Sequence, residues 1–157
     1  MAASLPLSLF ERLLDEAPGQ ALDQQESEEA TFTRFKLGLR RDLEGLLNGK
    51  RPHADWLTRA PDVADTVIGF GLPDLSTEDF GTPAVRERIR RLIATCIRTF
   101  EPRLSRIEVE ADGSGPTSAG LRFRISAVAR IAAVEEPVVY DARLLPTDRV
   151  IAVKLAR

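Results

Sequence analysis

The sequence predicts an α+β domain: a mainly antiparallel sheet of about four strands with helices packed on one face. Three observations carry this expectation. Two stretches, 31–47 and 83–100, place apolar residues at helical spacing. Four later stretches alternate apolar and polar residues, the period of a half-buried strand. The helical stretches come first and the strands follow in a run, which favours a meander over alternating βαβ units.

Element by element, residues 5–16 read as a short amphipathic helix stopped by Pro18-Gly19, and 19–30 as a polar, aromatic-free linker. Residues 1–30 thus form an N-terminal short helix and acidic linker, and 31–157 the folded domain. In 31–47, Phe32, Phe35, Leu39, Leu43, Leu46 and Leu47 make one stripe, and Asn48-Gly49 is expected to end the helix through a left-handed cap. Val63 to Ile68 reads as a short helix or strand. The following segment, GFGLPDLSTEDFGTP, holds too many glycines and prolines for a regular element, yet it carries Phe70, Leu72, Leu75 and Phe80. It is therefore either a plug packed onto the core or an interaction surface. Thr82-Pro83 opens the second long helix as cap and first helical residue. Its stripe is Val85, Ile89, Leu92, Ile93, Cys96, Ile97 and Phe100, and Pro102 stops it. Strands are expected around Ile107–Val109–Ala111, from Leu121 through Ala129, around Val138 and Tyr140, and over 149–155.

The 157 residues suit one domain with one core. A net charge of −2 gives no overall bias toward nucleic acid, but the charge is uneven. Residues 1–30 carry seven acids against Arg12, and 84–106 carry seven arginines against Glu87 and Glu101. One cysteine, Cys96, and one histidine, His53, rule out an internal disulfide and a Cys/His zinc site. The N-terminus lacks a signal-peptide pattern, and no apolar run reaches membrane-spanning length. The expectation is a cytoplasmic protein without direct membrane insertion, cofactor or metal.

Little in these residues points to catalysis. His53 lies in a loop and Cys96 on an apolar stripe, so neither belongs to a nucleophilic pair. GFGLPD has the wrong spacing for a phosphate-binding loop. Asp74, Glu78, Asp79 and Glu101 are the carboxylates available for an acid–base pair, but arginines beside Glu101 oppose a proton-donor role. The arginine-rich face of the 83–100 helix reads either as a solvated face, with a Glu87–Arg91 pair one turn apart, or as a docking surface for an acidic partner. Without aromatic platforms beside the arginines, nucleic acid is not expected.

Two motifs are more specific: FGLPDLS at 70–76 and FEPRL at 100–104. With the helix between them and the strands after them, they resemble the gene-25-like lysozyme family. That family comprises phage baseplate wedge proteins and the TssE subunits of bacterial type VI secretion systems, the branch this chain resembles. LFERLLDE (9–16) and LRRDLEGLLNGKR (39–51) extend the likeness upstream. Many relatives carry Asn and Tyr where this chain has Gly69 and Phe70.

The resemblance implies a non-enzymatic assembly role. Expected partners are the wedge proteins TssF, TssG and TssK, the VgrG hub and the TssB/TssC sheath, on a cytoplasmic baseplate docked at the inner-membrane complex. It maps the wedge core-bundle contact onto Glu101, Pro102 and Arg103. It marks Phe70, Gly71, Leu72, Pro73 and Asp74 as a structural or interaction loop. It makes the strand holding Ile151, Val153 and Leu155 a template for sheath strands, by strand addition at a sheet edge. On this reading Glu101→Ala or Arg103→Ala leaves the fold intact and weakens partner capture. The alternative readings are a peptidoglycan-cleaving enzyme, as the family name implies, and a docking module that binds acidic proteins through its basic helix.

Overall fold

The computed structural model of the chain describes residues 28–52, 61–75, 77–111, 120–131, 134–145 and 150–156. The expected N-terminal helix at 5–16 and most of the 19–30 linker lie outside them. Helix α1 spans Glu28–Asn48, so it takes in the end of the expected linker. A short helix α2 (Pro61–Ala64) and a 3-10 turn (Val67–Gly69) replace the single short element expected there. Helix α3 spans Pro83–Phe100, as its proline start and proline stop predict.

The strands β1 (Leu104–Ala111), β2 (Leu121–Ile131), β3 (Val134–Leu144) and β4 (Ile151–Leu155) form a four-stranded sheet in chain order. All neighbours are antiparallel. The register puts Val109, Ile125, Tyr140 and Leu155 in one row and Ala111, Phe123, Ala142 and Val153 in another. Both rows face the helices, with α3 against β1 and α1 against β4. Phe35, Leu39, Leu43, Leu46 and Leu47 from α1 and Ile89, Ile93, Cys96 and Ile97 from α3 close the core over them. The α+β expectation, with helices on one face of the sheet, holds.

The opposite face is polar. Glu110, Arg124, Asp141 and Lys154 lie side by side across the four strands with alternating charge, so each neighbouring pair attracts. One irregularity escapes the alternation pattern. The β1–β2 register shifts between Ser105 and Glu108, and Arg106 takes a φ of 51°, the left-handed geometry of a bulge.

Two expected caps form differently. The Thr82 side chain makes no cap bond to α3; its hydroxyl donates to Asp79 Oδ2 at 3.0 Å. Gly49 is absent from the residues with positive φ. The end of α1 is held instead by the Asn48 amide, which donates to Glu44 O at 2.7 Å and also reaches β4.

Candidate functional site: the Glu-Pro-Arg corner

The corner between α3 and β1 is built by three constraints. Glu101 N closes the helix onto Ile97 O at 2.9 Å. Pro102 then removes the next donor, and Arg103 O accepts from Arg130 N at 2.8 Å, which starts the pairing of β1 with β2. The Glu101 side chain turns inward. At 5% exposure it is the one polar or charged residue among the buried described residues.

Its partner is Arg103. Arg103 Nε donates to Glu101 Oε1 at 2.7 Å and Nη2 to Oε2 at 2.5 Å, a two-pronged pairing. The Arg103 backbone N–H adds a bond to Oε1 at 3.2 Å. Nη2 also donates to Asp42 Oδ2 on α1 at 2.6 Å. The guanidinium lies 5.8 Å from the centroid of the Phe35 ring, within range of a cation–π attraction. Burial alone would lower the pKa of Arg103, but hydrogen bonding and charge from Glu101 and then Asp42 outweigh it and raise it. The corner is thereby fastened to α1.

Of the three predicted contact residues, Glu101 is therefore enclosed, Arg103 is mostly covered and Pro102 is exposed. Removing Arg103 strands the buried Glu101 carboxylate, and removing Glu101 leaves Arg103 held by Asp42 alone, so the geometry predicts a loss of stability, larger for Arg103→Ala, where an intact fold was expected. Sequence reasoning missed Asp42 and Phe35. Phe35 was legible only as a core position and Asp42 as an ordinary helix-surface acid.

The Phe-Gly-Leu-Pro-Asp loop is a plug with an exposed rim. Leu72 N donates to Gly49 O at 2.8 Å and Arg51 N to Leu72 O at 2.9 Å, a single parallel bridge onto the segment after α1. Gly71 has a φ of 97°, and a Cβ there would sit 2.1 Å from Gly49 O; only glycine fits. Leu72 and Leu75 join the core, and the Cys96 thiol donates to Gly71 O at 3.5 Å. Phe70 packs edge-on against Phe100 with centroids 5.5 Å apart. Phe70 and Asp74 are exposed and Pro73 is half-buried.

Strand β4 lies at the sheet edge, with the Ile151 and Val153 side chains in the core and Leu155 half-buried. Its outer backbone groups at Ile151 and Val153 are taken. Asn48 pairs with Ile151 as a peptide group would: Ile151 N–H donates to Oδ1 and Nδ2 donates to Ile151 O, both at 2.8 Å. Val153 N–H donates to Glu44 Oε1 at 3.1 Å, and Arg40 Nη1 donates to Val153 O at 3.2 Å. A row of α1 side chains thus stands where a fifth strand would add.

The other edge is treated alike. Arg98 Nη2 donates to Ile107 O at 2.9 Å and Arg90 Nη1 to Val109 O at 3.1 Å. The remaining arginines of α3 are also engaged. Arg86 holds Phe80 O and Gly81 O, Arg88 pairs with Glu78, and Arg91 pairs with Glu87, as expected one turn apart. Glu87 also accepts both prongs of Arg90, and hydrogen bonds from Arg90 and then Arg91 hold its carboxyl down at about 2. The basic helix face is thus bonded within the chain.

The carboxylates considered for acid–base work are dispersed in purpose. Asp79 accepts from Gly81 N at 2.9 Å and from the Thr82 hydroxyl, Glu78 pairs with Arg88, and Glu101 is bound on both oxygens by Arg103. No cluster of three or more His, Cys, Asp or Glu fit for a metal occurs among the described residues. None of their helices is long and apolar enough to cross a membrane.

Residues 34–133 match the model of a protein family described as baseplate wedge protein gp25. That span runs from α1 through β2 and contains the whole corner network, whereas β4 lies beyond it. No curated protein and no solved structure matches the chain significantly.

Proposed function

From the premise that the chain belongs to the baseplate wedge protein gp25 family, we propose that it is the small wedge subunit of a bacterial type VI secretion system. Membership gives it a structural role in the baseplate of a phage-tail-like system. The type VI assignment goes further, and is supported by the FGLPDLS and FEPRL motifs and by the likeness upstream at 9–16 and 39–51. On this reading the subunit joins TssF, TssG and TssK around the VgrG hub and helps start the TssB/TssC sheath, on the cytoplasmic side of the inner-membrane complex.

The observation that carries the docking site is the enclosure of Glu101 by Arg103, with Arg103 bound in turn to Asp42. A buried, two-pronged ion pair fixes the turn and presents Pro102 and the edge of Arg103 to a partner without further ordering. The wedge core bundle therefore meets Pro102 and the outer side of Arg103, while Glu101 acts as an internal brace. Strand addition at β4 would exchange the Asn48, Glu44 and Arg40 side chains for a sheath strand's backbone. Among the described residues, the carboxylates Glu78, Asp79 and Glu101 are engaged in structural bonds, which does not favour the hydrolytic reading.

Co-purification with a TssF–TssG complex tests the proposal. Wild-type protein is captured, and Pro102→Glu, a change at an exposed residue, loses capture while keeping its melting temperature. Undiminished capture of Pro102→Glu would remove the corner from the interface.

A further inference from the structure

The turn just before the Phe-Gly-Leu-Pro-Asp loop carries an exposed apolar group that the corner does not account for. Val67, Ile68 and Phe70 are 90%, 47% and 42% exposed, within four consecutive residues. The other large exposed hydrophobics among the described residues, Leu37, Val134 and Val150, are separated in sequence, as is ordinary for a surface. Exposed apolar groups gathered in this way suit a contact with a partner.

Its presentation is rigid. Thr66 Oγ1 donates to Val63 O at 2.8 Å and accepts from Ile68 N at 3.3 Å. Gly69 N donates to Thr66 O at 2.9 Å. A Cβ on Gly69 would lie 1.8 Å from Ala64 O, so the turn closes only with glycine there, and closing it leaves Val67 and Ile68 pointing outward. An Asn at this position would not fit this turn. The side facing inward is anchored by Phe70, which lies edge-on to Phe100. Phe100 immediately precedes Glu101, so the knob adjoins the corner.

We infer that Val67, Ile68 and Phe70 form a preorganised knob that inserts into an apolar groove of the same wedge partner, at a place where that groove is rimmed by basic residues. The inference rests on the wedge reading and extends its contact beyond Pro102. The charge of the partner follows from the knob's own segment. The described charged residues that flank the turn, Asp62 and Asp65, are both acidic. The backbone bridge from Lys50 and Arg51 reaches this segment at Leu72. A two-fold contact between copies of this chain would set these acids against themselves. An anionic lipid surface would repel them.

The test uses the full chain, a TssF–TssG complex as probe, and the double variant Val67→Ser/Ile68→Ser beside Pro102→Glu. The expected result is an affinity at least about tenfold weaker for the serine variant with an unchanged melting temperature. Asp62→Lys/Asp65→Lys weakens binding as well. Wild-type affinity in the serine variant, with Pro102→Glu defective, overturns the knob and leaves the wedge reading standing. No capture of wild-type protein overturns both. Self-association or binding to anionic vesicles that Val67→Ser/Ile68→Ser abolishes assigns the knob to another occupant and also overturns the inference.

Discussion

Arg103 serves three groups at once: both oxygens of Glu101, one oxygen of Asp42 and the face of Phe35. Truncating it leaves a carboxylate buried without its cation, so Arg103→Ala is expected to lower stability by about 3–5 kcal/mol. Urea unfolding measures this, and Arg103→Lys, which keeps the charge without the fork, should fall between. A loss below about 1 kcal/mol would show that the brace is dispensable. Cys96 makes a different prediction. Burial pushes its thiol from 9.0 up to about 11. Between those values the unfolded thiol ionises while the folded one stays protonated, so its contribution to stability is intact below about pH 9 and lost as pH rises toward 11. Burial likewise raises Tyr140, with the same sign at more alkaline pH. Unfolding midpoints across this range should fall less steeply in Cys96→Ala than in wild type. The helix stop at Pro102 and the burial of Cys96 were legible because both depend on local pattern. The Asp42–Arg103 pair joins residues 61 apart, and no local pattern reports such a meeting.

Helix α1 has two working faces. Its apolar stripe was readable and packs as expected. The row Arg40, Glu44 and Asn48, four residues apart, reads in sequence as solvated surface and yet closes the edge of β4. Asn48 was expected to cap its own helix; its amide serves Ile151 as well. The arginines of α3 carry the same lesson, since Arg90 and Arg98 reach carbonyls on β1. Side chains bonded to a sheet edge resemble surface charges until the neighbouring strand is in place. Asn48→Ala removes a donor and an acceptor from Ile151 at once. The expected cost is about 1–3 kcal/mol, read by urea unfolding. The bared edge should also promote concentration-dependent self-association in sedimentation; an unchanged monomer would show that Glu44 and Arg40 suffice to cover it.

In the molecule as a whole, helix side chains hold backbone groups at both described sheet edges, and one row across the open sheet face alternates in charge. Such a surface resists indiscriminate pairing. The proposed recognition surface lies where the Pro102 corner and the Val67–Ile68–Phe70 knob meet through Phe70 and Phe100. The α+β class and the family likeness were legible because they rest on periodicity and on two short motifs. The division of labour within Glu-Pro-Arg was not, because it depends on which side chain turns inward. Docking of a wedge partner on this braced corner is read from the dissociation constant of the TssF–TssG complex for wild-type and Pro102→Glu protein. The expected result is saturable binding by wild type, weakened at least about tenfold in a Pro102→Glu protein of unchanged melting temperature. Equal affinities for the two proteins, or no binding by wild type, would contradict it.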